Sequence, residues 1–108
     1  MTVQHVVLFR FPRSLTALEY HEALTQLRSW PDGIGEFEKI HFGPDLNGGE
    51  RAQGYQYLLL TEHADLASLR RYQDHPLHQQ FGAWTKLHKG EVLGFDYELD
   101  DTTVVLRR

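Results

Sequence analysis

The chain has 108 residues, one domain's worth, with room for a real but modest core, so further burial through self-association fits its size. Fifteen acidic against eleven basic residues give a net charge of −4, and the clustered pairs Arg70-Arg71 and Arg107-Arg108 read as solvated surface, which argues against nucleic-acid binding. The lack of cysteine excludes disulfides, thiolate–zinc sites and cysteine nucleophiles, and Val6-Val7-Leu8-Phe9 is too short, and broken by Arg10, to be a signal peptide or membrane span; a soluble cytoplasmic protein is the default expectation.

Residues 3–11 are rich in β-branched and aromatic types, with His5, Val7, Phe9 and Phe11 on one face and Val6 and Leu8 on the other. Both faces are largely apolar, so this is expected to be a central strand covered on both sides, ended by Pro12. Thr16-Ala17-Leu18-Glu19 has the form of a capping box, and Tyr20, Ala23, Leu24 and Leu27 follow at helical spacing. A helix over roughly 16–30 is predicted, closed by Trp30-Pro31-Asp32-Gly33. Ile34, Phe37, Ile40 and Phe42 mark a less regular strand over 34–43, followed by a turn-rich loop from Pro44 to Gly54. Residues 55–62 form a strongly apolar third strand. Asp65 can cap a second helix carrying Leu66, Leu69 and Tyr72 on its apolar face. Beyond Pro76, the residues Phe81, Trp84 and Leu87 indicate a further helical segment, and 92–97 a fourth strand.

The order is β-α-β-β-α-β, the ferredoxin-like arrangement, an α+β fold with a four-stranded antiparallel sheet and its helices on one face. The opposite face is then bare, yet its side chains are largely apolar. Two such sheets burying those faces against each other would make a homodimer. The β-prone run Thr102-Thr103-Val104-Val105-Leu106 exceeds what one small sheet needs and could add a strand at that interface, so residues 1–99 are read as the domain and 100–108 as a tail.

The densest chemistry lies in Tyr72-Gln73-Asp74-His75-Pro76-Leu77-His78. A phenol and two imidazoles, all able to move protons, fall within one short stretch. Proline after His75 disfavours helix at that residue, so the first helix should end there and His78 should open a new turn facing back toward Tyr72.

These pieces together resemble the stress-responsive α/β-barrel domain family, often called Dabb, within the dimeric α+β barrel superfamily. The matching segments are His5-Val6-Val7-Leu8-Phe9-Arg10-Phe11, Arg51-Ala52-Gln53-Gly54-Tyr55, Tyr72-x-x-His75-Pro76-x-His78-x-x-Phe81 and Phe95-Asp96-Tyr97. The resemblance implies the fold and a homodimer, two sheets forming one barrel. Its best understood member type, similar to olivetolic acid cyclase, closes a linear polyketide without a cofactor. By that likeness Tyr72 and His78 would do the proton work, and His5 would match the first-strand histidine. A further pocket histidine of that cyclase's third strand aligns with Tyr57 here, a departure bearing on the particular reaction.

In the functional reading, His78 abstracts a proton α to a carbonyl and Tyr72 hydrogen-bonds the enolate oxygen. In the structural reading, Tyr72 fills the core and His78 bonds a backbone carbonyl. His75 is expected to be structural, satisfying loose carbonyls at a helix end and suiting its dipole. His75 and His78 lack a third partner, so no metal and no cofactor is expected. His5, Val7, Phe9, Tyr57, Phe81, Gly82 and Trp84 are the candidate lining of a small apolar ligand's pocket, while His21, His41, His63 and His88 read as surface. Three functions stay open: a cyclase- or lyase-like acid–base enzyme on a small apolar carbonyl compound, a non-catalytic stress-related or ligand-binding dimer, and a haem-degrading or cofactorless monooxygenase-like protein.

Overall fold

A computed structural model of the chain describes residues 2–108. Strand β1 (Thr2–Arg10) runs through the middle of a four-stranded sheet. Around it are β2 (Lys39–Pro44), β3 (Tyr57–His63) and β4 (Glu91–Leu99), in the order β2-β3-β1-β4. All pairings are antiparallel: His5 stands opposite Thr61 on β3 and opposite Asp96 on β4. The helices are α1 (Ala17–Arg28), a single turn α2 (Trp30–Gly33), α3 (Leu66–Asp74) and α4 (Pro76–Leu87). This is the β-α-β-β-α-β ferredoxin-like order expected from the sequence.

Alternation along the strands sorts the side chains. Val3, His5 and Phe9 of β1 and Tyr57, Leu59, Thr61 and His63 of β3 are buried on one face, with the helices over them. The other face carries Val6, Leu8, Leu58, Leu60, Leu93, Phe95 and Tyr97. On β4 it is open, with Phe95 67% and Leu93 53% exposed.

Local sequence explains the helix ends. Thr16 accepts from the Glu19 amide at 3.1 Å while the Glu19 carboxylate accepts from the Thr16 amide at 2.8 Å, closing the capping box. Asp65 accepts from the Ser68 amide at 2.8 Å and caps α3. The segment after α1 departs from expectation. Trp30 opens a separate turn, with Ile34 closing it through a 2.8 Å bond to the Trp30 carbonyl. Consequently β2 begins at Lys39 rather than residue 34, because Ile34 is spent on that cap and buried beneath the helices. Trp30, 1% exposed, meets Tyr72, His78 and Phe81 with ring centroids 5.6–5.7 Å apart, a hub of the core. Residues 100–108 hold no strand in the single chain, and Val104, Val105 and Leu106 are exposed. Among the described residues no helix is long and apolar enough to cross a membrane.

Candidate functional site

The fold leaves a gap where α4 passes over β1 and β4. A cavity of about 330 Å³ opens there, walled by His5, Val7 and Phe9 of β1, Leu59 of β3, Val92 and Gly94 of β4, and Gln73, His78, Phe81, Gly82, Thr85 and Lys86 of the helices. Two glycines make the space: a Cβ at Gly82 or Gly94 would meet nothing within 4 Å. Of the sequence candidates, His5, Val7, Phe9, His78, Phe81 and Gly82 come together on this wall. Tyr57 and Trp84 do not. Tyr57 lies on the helix face opposite Phe9, but its ring turns aside, stacked on Phe42 and accepting from the Leu15 amide at 2.8 Å. Trp84 turns away to meet Phe11, Phe81 and His88, since α4 brings 78, 81, 82, 85 and 86 to the cavity and leaves 84 off that stripe.

His5 is buried, and its Nδ1 is hydrogen-bonded to the Asp96 carboxylate across the β1–β4 ladder. A carboxylate can only accept, so Nδ1 carries the hydrogen and Nε2 is left as the free basic nitrogen. Asp96 is a functional candidate that sequence reasoning passed over. Its signal is alternation: Gly94 and Asp96 fall on the helix face of β4, and the register aims Asp96 at His5. His78 sits in the first turn of α4. Burial lowers its pKa, with the nearby His5 adding to the effect, so the ring is held neutral near pH 7 and is available as a base.

Tyr72, fully buried, lies behind this wall and does not line the cavity. Its ring stands 4.7 Å from His78, 4.8 Å from His63 and 6.1 Å from His5, centroid to centroid. The hydroxyl has no hydrogen-bond partner of acceptable geometry; the Thr61 hydroxyl is close enough to hold the phenol's pKa down slightly, but burial dominates and pushes it up. A hydrogen bond requires directional geometry, and the hydroxyl is therefore unpartnered. The phenol stays protonated at any pH near neutrality.

His63, expected at the surface, is instead fully buried against Tyr72. Its Nδ1 donates to the Glu36 carbonyl at 2.6 Å, and its Nε2 accepts from the Thr61 hydroxyl at 2.7 Å. Burial lowers its pKa, keeping it neutral. The strict alternation Tyr57, Leu59, Thr61, His63 carries this signal; the charged neighbours Glu62 and Asp65 hide it. Strand β3 therefore does carry a buried histidine, six positions beyond Tyr57, packed on Tyr72 behind the cavity wall. His75 closes α3 and opens α4 at once. Its Nδ1 accepts from the Leu77 amide at 3.1 Å, so it serves the N-terminus of α4, not the loose carbonyls of α3 as the sequence suggested.

The stress responsive A/B barrel domain (Dabb) family matches residues 3–99. No curated protein matches the chain. Among solved structures it is similar to a dimeric ferredoxin-like protein of unknown function from Thermobifida fusca YX, with 27% identity, 92% of each chain covered and a TM-score of 0.76. It is also similar to a dimeric protein of unknown function and ferredoxin-like fold from Bacteroides fragilis NCTC 9343, at 25% identity over 91% of this chain and 96% of that one, with a TM-score of 0.73. A hydroxynitrile lyase from Passiflora edulis shares the fold at 17% identity, over 92% of this chain and 95% of that one, with a TM-score of 0.72. With the strand order, the His-Pro-x-His corner and a family match running from one edge of the sheet to the other, the chain belongs to the stress responsive A/B barrel domain family.

Proposed function

We propose that this protein is a cofactor-independent acid–base enzyme acting on a small apolar carbonyl compound, and that it works as a homodimer. The observation that carries the reading is the cavity itself: a largely apolar space on which two imidazoles converge, one braced by a carboxylate and the other held neutral by burial. His78 removes the proton α to the carbonyl, and the imidazolium so formed returns a proton to the same carbon, while His5, its Nδ1–H held by Asp96, keeps Nε2 facing the site as an acceptor. Tyr72, behind the wall with its ring 4.7 Å from that of His78, sets the position of that imidazole and does not meet the ligand. General acid–base groups of this kind contribute about 10²–10⁴-fold each. The lyase of Passiflora edulis makes proton-transfer chemistry on this fold a reasonable assay to begin with.

The dimer reading rests on the bare sheet face, whose Leu93, Phe95 and Tyr97 are exposed in one chain, and on the dimeric protein of Thermobifida fusca. We place the apolar tail residues Val104, Val105 and Leu106 against the partner.

A second reading, a non-catalytic dimer that binds a small apolar ligand, draws on the absence of Tyr72 from the cavity wall. Deuterium exchange at the α carbons of 2-octanone in D2O, followed by NMR, separates the two. The enzyme reading expects exchange that His78→Gln abolishes. Binding of the ketone without exchange would leave the ligand-binding reading standing alone.

A further inference from the structure

One stripe of α4 along the cavity wall writes the ligand's outline. His78, Gly82 and Lys86 are spaced four apart and share the cavity-facing side. His78 offers a neutral imidazole and Gly82 a notch. Lys86, among the described residues, is the one side chain on the wall that carries a full charge. No Asp or Glu lines the cavity, and Asp96 is engaged by His5. Lys86 forms no ion pair among the described residues, whereas Arg10, Arg13 and Arg71 are each matched to a glutamate. Helical side chains lean toward the N-terminus, so the Lys86 stem leans back over Gly82, toward His78.

We infer that the ligand is an anionic amphiphile: an apolar body lying along Val7, Phe9, Phe81 and Val92, its reacting carbonyl at His5 and His78, and a carboxylate at the mouth on Lys86. This rests on the reading of the cavity as a ligand site and adds the charge and the length. The two ends of the stripe are about 12 Å apart along the helix axis, at about 1.5 Å per residue. That is the upper bound on the distance from reacting carbonyl to anion, shortened by the backward lean of the lysine. A lone ammonium is a point charge without the fork that grips a phosphate in two places, which favours a monoanionic carboxylate.

The test compares octanoate with its neutral counterpart 2-octanone by titration calorimetry at low ionic strength, with amide shifts of Gly82 and His78 reporting the site. Octanoate is expected to bind about two- to fivefold more tightly, the scale of a solvent-exposed ion pair, and the preference should fade as salt is added. Lys86→Gln should abolish the preference and Lys86→Glu reverse it. Lys89→Gln, off the wall, should leave it intact. Equal binding of the two probes, or a preference that survives Lys86→Gln, would overturn the inference while leaving the cavity a ligand site. If neither probe perturbs Gly82 or His78, the ligand-site reading falls and this inference with it.

Discussion

Replacing Tyr72 by Phe removes one oxygen from the centre of the protein and should make it more stable. The phenol is fully buried and its hydroxyl has no well-formed partner. A buried polar group left unsatisfied costs about 1–3 kcal/mol. Phenylalanine keeps the ring that packs against Trp30, Phe37, His63 and His78. The weak approach of Thr61 offsets part of the gain, so a net stabilisation of about 1 kcal/mol is expected, equivalent to roughly 4–8 °C in Tm for a domain near this size. Urea unfolding and calorimetry at matched protein concentration measure it, the match being needed because a dimer's stability depends on concentration. A loss of about 1 kcal/mol or more would refute the reasoning, since it would mean the hydroxyl is bonded in the folded protein.

Acid should destabilise the protein through His63 and His78. Both have folded-state pKa values lowered by burial, so above the unfolded value of about 6.5 they are neutral in both states and neither matters. As pH falls below that value the unfolded chain takes up protons that the folded chain refuses, and stability drops by up to about 1.4 kcal/mol per pH unit for each, until the folded pKa is reached. Unfolding curves between pH 7 and 5 check this, and a flat profile would contradict it. Asp96→Asn should leave the fold intact but cut exchange by about 10²-fold, because the amide can present a donor to His5 and reverse its tautomer; activity equal to the parent would remove His5 from the mechanism. Gly82→Leu should fill the cavity and abolish 2-octanone binding with little change in Tm, since open space surrounds that Cβ. Phe95→Glu should yield monomers in sedimentation, with an unchanged dimer placing the interface elsewhere.

What could be read in advance follows from how far each signal reaches. The capping box at Thr16, the Asp65 cap and the break at Pro76 are local, and each sits where its residues demand. The strand order follows from element order and the apolar character of both faces of β1. The misplacements all involve position along an element or across it. Tyr57 is on the expected face and directly opposite Phe9, but its ring turns toward Tyr20, Phe42 and the Leu15 amide rather than into the cavity, a direction that alternation does not report. Trp84 is apolar and helical, yet whether it faces the cavity depends on the rotation of α4, fixed by Phe81 and Thr85 in the core. Asp96 gains its meaning only from the β1–β4 register. His63 was legible in the alternation of β3 and was masked by its polar neighbours. Trp30 ends a helix in the sequence and fills the core in space, because Pro31 starts a new turn that swings the indole inward.

The hydrogen bond between His5 and Asp96 joins residues 91 positions apart, and the cavity's two long walls come from opposite ends of the chain. Helix α3, the corner at His75 and helix α4 can form from nearby contacts, whereas pairing β1 with β4 must close nearly the whole chain into a loop. The pocket is therefore a product of late assembly. A chain interrupted before β4, still emerging from synthesis or clipped near Gly90, would hold His78 beside Tyr72 yet have neither a second wall nor a braced His5. Ligand binding then reports that folding is finished, and a bound ligand should slow unfolding while leaving the folding rate nearly untouched.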